Sequence, residues 1–403
     1  MNIKRLIWLV LISIIVPAAG EFSFINEPVS KQSLLLAQAA NEPQPPRVFL
    51  DTTYIPPTGN TINVPAGGNL QTAINQAQPG DEIVLTAGAT YVAPSGGFIL
   101  PPKNNPSNRW IIIRSSALAN LPPAGTRVSP ADAGSMPKVL SSNAYAALAT
   151  QTGAGTGNVA FWRIVGIEFS LTPTALPDAA TAGATNNTGL VRFGNPTETS
   201  AANQPHDIVV DRCYIHGLPR VNAKKGISLN SRATSVIDSY LSDFHSTQYD
   251  AQAVGGWNGP GPFKIVNNYL EASGENLMFG GTDPKIANLI PGDIEIRRNH
   301  FDKPLSWRAG DPSYAGIPWV VKNLLEFKNA QRVLIEGNTF EHCWQAAQGG
   351  SAIEPEVSAL REAAWRAYFA GDETALGAML PDDFIGINMF DGPFVSRDHA
   401  PPA

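Results

Sequence analysis

Along the middle of the chain, short runs of β-branched and aliphatic residues end on a small polar residue. An aromatic or aliphatic one follows two positions later. The phrase reads Ile208-Val209-Val210-Asp211-Arg212-Cys213-Tyr214-Ile215, Val236-Ile237-Asp238-Ser239-Tyr240-Leu241 and Lys264-Ile265-Val266-Asn267-Asn268-Tyr269-Leu270. It returns as Ile294-Glu295-Ile296-Arg297-Arg298-Asn299-His300-Phe301 and Val333-Leu334-Ile335-Glu336-Gly337-Asn338-Thr339-Phe340. The polar anchors Cys213, Ser239, Asn268, Asn299 and Asn338 are spaced by 26, 29, 31 and 39 residues. A repeat of this length with growing insertions predicts a solenoid. Shorter apolar runs lie between the anchors, at Gly226–Asn230, Asn276–Phe279 and Lys322–Phe327, so each coil carries two or three short strands. Because the phrase returns in the same direction, the coils stack into parallel sheets. An Asn at the same corner of successive coils then hydrogen-bonds its counterparts above and below, and the residues two positions on stack in turn.

Ahead of the repeats, Asn69 caps a short amphipathic helix over 69–77, with Leu70, Ala73, Ile74 and Ala77 on one face. Pro79-Gly80 stops it, and the strands Asp81–Leu85 and Trp110–Arg114 follow. Such a helix suits the open apolar end of a solenoid. Residues 115–155 and 170–205 read as polar insertions.

The cap helix, the stretch Gln78 to Leu85 and the Asn-x-Phe rungs resemble the pectin-lyase-like right-handed parallel β-helix superfamily over about residues 60–350. The resemblance implies an all-β solenoid with an N-terminal capping helix, which binds polymers, most often acidic polysaccharides, in a groove along one sheet.

The pattern changes after residue 353. Glu354-Pro355-Glu356 has the signature of a helix start, with Pro in the first turn and acids at the positive end. A second helix is expected over 373–380 and a strand from Phe384. Gly371-Asp372, Asp382-Asp383-Phe384, Asp391-Gly392 and Ser396-Arg397 resemble the opening of a SnoaL-like (NTF2-like) domain. The expected plan is a secretion signal over 1–20, a Pro-rich leader over 21–59, the β-helix over 60–352 and a partial SnoaL-like segment over 354–403. The last part is read either as a C-terminal cap or as the product of a fusion of two incomplete genes.

Composition narrows the function classes. Charged residues are 15 % of the 403, Gly (36) and Pro (34) are abundant, and the net charge is −6. That balance argues against a nucleic-acid partner. Two cysteines make no disulfide framework. Lys4 and Arg5 before the apolar run Leu6 to Val16 and the small residues Ala18-Ala19-Gly20 fit a cleaved signal, with no stable membrane span afterwards. The protein is expected to be secreted or periplasmic and monomeric.

The densest polar stretch is 243–285. Asp250 and Glu275, about one repeat apart, are candidates for an acid–base pair or, with Asp283, for calcium ligands. Solvated turn positions are the plainer reading. Trp257, in a Gly-rich loop, is a candidate sugar-stacking ring beside Gln252 and Asn276. Lys225 and Arg232 resemble, in residue type, the basic pair of chondroitinase-B-like and alginate-lyase-like members, which implies base and acid roles in β-elimination. His216, His245 and His300 lack metal-ligand spacing. The expected function is polysaccharide binding, with lyase or glycoside hydrolase activity on acidic glycans. The alternatives are a non-catalytic adhesive β-helix and a non-functional fusion.

Overall fold

The computed structural model describes residues 44–153, 159–344, 346–347, 352–355, 385–386 and 395–396. The described residues cycle through three parallel sheets of nine, eight and eight strands; after Thr61–Val64, which belongs to the first sheet alone, each coil adds one strand to each sheet. The first sheet carries the repeated apolar runs, from Thr61–Val64 through His206–Asp211 to Gln331–Glu336. The second holds the strands after each anchor, such as Tyr214–His216, Tyr240–Phe244 and Tyr269–Ala272. The third holds Lys225–Asn230, Gln252–Gly256, Glu275–Phe279 and Leu325–Phe327. This is a parallel β-helix. Inward residues of all three sheets, among them Ile208, Ile215, Ile227 and Leu277, fill one continuous core.

The expected corner column is present. Cys213 N donates to Ser239 Oγ (3.0 Å), Ser239 N to Asn268 Oδ1 (3.0 Å), Asn268 N to Asn299 Oδ1 (2.9 Å) and Asn299 N to Asn338 Oδ1 (2.9 Å). Each Asn also donates from Nδ2 to a carbonyl of the preceding coil: Val236, Ile265 and Ile296. The residue before each anchor takes a positive φ, from 47° at Arg212 to 62° at Gly337. That sharp left-handed corner turns the chain from the first sheet into the second. The aromatic ladder differs from expectation. Two positions after the anchors, Ile215, Leu241 and Leu270 are core residues, and Phe301 and Phe340 alone stack (4.6 Å). One position after them, Tyr240 and Tyr269 stack outside the coil at 4.2 Å, with Tyr214 edge-on to Tyr240.

At the N-terminal end, helix α1 (Leu70–Gln76) has Asn69 as its cap, accepting from Thr72 N, and buries Leu70, Ala73 and Ile74. Gln71 accepts from Ile99 N (2.7 Å) and donates to Ile99 O (2.9 Å). Ile99 lies on Phe98–Leu100, the edge strand of the third sheet. The helix thus supplies the ladder partners that a further coil would provide.

Residues 47–58, expected to be leader, form a strap across the first sheet. Arg47 N donates to Asp293, Lys264 Nζ to Leu50 O and Thr52 Oγ1, and Arg163 Nη1 to Thr52 O. Thr58 N donates to Gly80 O.

The β-helix continues past 352. Ile353–Pro355 pairs in parallel with Leu325–Phe327, so Glu354 and Pro355 extend the third sheet instead of opening a helix. Proline, with no N–H to donate, is tolerated on such an edge strand. Ile385–Gly386 pairs antiparallel with Val395–Ser396, consistent with the strand expected from Phe384. The secretion signal, the leader up to Pro43 and the helices expected over 356–380 lie outside the described residues. Cys213 is buried and Cys343 exposed, and both are free. No helix among the described residues is long and apolar enough to cross a membrane.

Candidate functional site

Lys225, Gln252 and Glu275 open three successive strands of the third sheet and pair in register. By simple alternation they would share the inward face with Ile227, Val254 and Leu277. A bulge intervenes, because Leu324 O accepts from both Asn276 N (3.0 Å) and Leu277 N (3.2 Å). Bulges re-aim side chains in this way. Gln252 Nε2 accordingly reaches Glu275 Oε2 (3.1 Å) and Met278 Sδ (3.2 Å). Gly255 keeps this space open, since a Cβ there would lie 2.7 Å from Gln252 Oε1.

Lys322, which sequence reasoning missed, completes the floor. Its Nζ lies 2.7 Å from Glu275 Oε1 and 2.9 Å from Asp250 Oδ2. Glu275 and Lys322 are both buried, whereas the Asp250 side chain is 45 % exposed. Burial raises the Glu275 carboxyl above its ordinary range, against the opposing pull of Lys322. Burial also works against the Lys322 charge, but the two carboxylates hold it above the usual ammonium range.

Lys225 is the contrasting lysine. It is buried, and its Nζ sits 5.0 Å from the centroid of the Trp257 ring. Burial, reinforced by the neighbouring Lys224 charge, lowers its pKa to about 7. Beside it stands Arg192, half-exposed on the preceding coil. A Cβ at Gly189 would lie 3.4 Å from Arg192 Cγ and Ser228 Oγ and 3.7 Å from Lys225 Cβ, so the glycine leaves a gap between the three. The Arg192 guanidinium makes no hydrogen bond or ion pair to any described residue.

Trp257 is placed by a polar hub. Asn230 Oδ1 accepts from Trp257 N and Asn258 N. The buried Asn258 donates to Asn195 O and Glu198 O and accepts from Lys285 N and Ile286 N, tying three loops together.

The sequence-expected residues therefore divide. Lys225, Gln252, Glu275, Asp250 and Trp257 come together. Arg232 does not: it begins a strand of the first sheet, beyond the far end of the Lys225 strand. Asn276 is buried within the coil, with Nδ2 bonded to Leu270 O and Asp302 O and Oδ1 accepting from Lys303 Nζ. Asp283 is exposed on the loop after Phe279. The expected calcium ligands do not fit the ion. The Lys322 ammonium bridges Asp250 and Glu275, and no three His, Cys, Asp or Glu side chains among the described residues converge on a metal position.

No family model matches the chain, and no curated protein matches it in sequence. Solved structures similar to it include an alginate lyase from Paenibacillus (13 % identity, TM-score 0.35, covering 73 % of this chain and 98 % of that one). The pectate lyase Pel9A is similar at 12 % identity and TM-score 0.32, covering 73 % and 82 %. The Dettilon tailspike protein follows at 10 % and 0.29, covering 71 % and 64 %. The likeness is loose, and the assignment to a parallel β-helix rests on the strand pairing itself.

Proposed function

We propose that the protein is a secreted polysaccharide-active β-helix that acts on an acidic glycan at the outer face of its third sheet, by β-elimination. The reading is carried by one observation: the buried Lys225 stands beside Arg192, whose guanidinium has no hydrogen-bond or ion-pair partner among the described residues. A uronate carboxylate pairs with Arg192, which stabilises the enolate-like charge formed when the adjacent proton leaves. The Lys225 amine takes that proton, the C=C bond forms as the C–O bond breaks, and the leaving oxygen receives the proton from the Lys225 ammonium. Trp257 offers its ring to the sugar face, and the Glu275–Lys322 pair holds the floor rigid. No step needs calcium.

The test is absorbance of unsaturated uronate on alginate, pectate and glycosaminoglycan panels, with and without chelator. Turnover insensitive to chelator is expected. Its kcat/KM should rise with pH to a plateau above about 7, as Lys225 loses its proton. Lys225→Met should lower kcat at least a hundredfold in a folded protein. An active Lys225→Met variant, or a profile without that limb, would refute the assignment. Binding without turnover on every panel would favour the adhesive reading instead.

A further inference from the structure

The outer face of the second sheet carries a different cavity, of about 330 Å³. Its floor is Tyr214, Tyr240 and Ser242, with the acids Asp243 and Glu271; Pro304, Trp307 and Trp319 wall it. None of these residues belongs to the third-sheet site.

The walls are built, not incidental. The segment 303–321 folds back over the sheet, and Trp307, Ile317, Trp319 and Val321 pack with Ala179 into a small core of their own. The buried His245 ring stacks on Trp319 at 3.8 Å and meets Trp307 edge-on at 5.3 Å, which fixes both indoles. On the other side, Leu121, Val128 and Met136 of the first insertion pack against Tyr214 and Tyr240. The first insertion and the segment 303–321 therefore both serve this face.

The charge in the cavity is one-sided. Glu271 accepts from Asp243 N (2.8 Å) and from Tyr269 Oη (3.0 Å), and no Lys or Arg among the described residues lines the space. The His245 ring lies 4.0 Å from Asp243 but burial lowers its pKa to about 3, which keeps it neutral; His216, stacked on Tyr214 at 4.2 Å, is the imidazole whose charge acts on Asp243. Burial raises the pKa of both acids, that of Glu271 to about 8, helped by the charge of Asp243. Two acids with no lysine or arginine beside them among the described residues favour a positively charged guest. Aromatic walls favour the C–H face of a sugar ring, and strengthen the attraction for its ammonium.

We infer that this cavity binds an amino sugar with a free amine, the ammonium lying between Asp243 and Glu271 and the ring against the aromatic wall. A uronate would be repelled here, so the two faces would read units of opposite charge.

The experiment is calorimetric titration of the full chain with fully deacetylated chitobiose, its N-acetylated counterpart and a uronate disaccharide. Saturable binding of the deacetylated sugar is expected, at least tenfold tighter than either control. Asp243→Asn and Glu271→Gln should each weaken it at least tenfold, and Glu336→Gln, an exposed acid on the first sheet, should not. Ala315→Trp, at an exposed lining position, should block binding without disturbing the acids. No saturable binding, equal binding of the N-acetylated sugar, or undiminished binding by both Asp243→Asn and Ala315→Trp would overturn the inference.

Discussion

At the scale of single residues, two buried lysines show how environment divides one side chain between roles. Lys322 is clamped by carboxylates, and Lys225 has an aromatic ring and a like charge nearby. The first arrangement makes a structural cation, the second an amine that exchanges its proton near pH 7. Lys322→Met strands the Glu275 carboxylate and should cost about 3–5 kcal/mol, whereas the double variant with Glu275→Gln should recover most of that. Denaturant midpoints of the two variants would decide it. Glu271 gives a pH-dependent counterpart. Its folded pKa of about 8 lies above the ordinary 4.5. Between those values the unfolded chain has released the proton and the folded chain has not, so this group's contribution to stability is full below pH ~4.5 and is lost as pH rises to ~8. Asp243, raised in the same direction, adds to the effect. Thermal midpoints of Glu271→Gln should fall less between pH 5 and 8 than those of the parent. Half the site was legible in the sequence because Asp250, Glu275 and Lys225 sit close to the repeat phase. Lys322 was not, because it lies 72 residues beyond Asp250 and behind an insertion whose path no local pattern specifies. Arg192 lay hidden likewise, on the strand Val191–Gly194 inside the stretch 170–205 that reads as an insertion.

At the scale of elements, the corner column is where sequence and structure agree most closely. The amide column needs the same residue type at the same phase, so the requirement is written directly into the repeat. Asn299 serves both neighbours, accepting from Asn268 and donating to Ile265 O and Asn338 Oδ1. Asn299→Ala leaves buried partners unsatisfied and should cost about 2–4 kcal/mol, while Asn338→Ala at the last coil should cost about 1 kcal/mol. Equal losses in equilibrium unfolding would mean that the column does not share load along the stack. The bulge at the start of the third-sheet strands was not legible. It depends on one carbonyl, that of Leu324, accepting two N–H groups from the preceding coil, and alternation alone assigns Glu275 to the wrong face.

For the whole molecule, stacking in one dimension means that each coil is stabilised mainly by its neighbours. Gln71→Ala removes the two bonds that close the Phe98–Leu100 edge. Amide exchange should quicken over 61–100 and stay unchanged over 206–340; uniform quickening would show that the cap governs the entire stack. The segment 303–324 links the two proposed binding faces, with Trp307 and Trp319 over the second sheet and Lys322 in the floor of the third. A glycan seated in one would be felt by the other through that segment and through the short corner from Glu271 to Glu275.

The strap over the first sheet has a consequence for synthesis. Arg47 finds its partner in Asp293, 246 residues downstream. Translation delivers the tether long before the surface it crosses. What the ribosome makes early is therefore fastened in stages, at Gly80, Arg163 and Lys264, and a nascent chain halted short of Asp293 would lack the last of those fastenings.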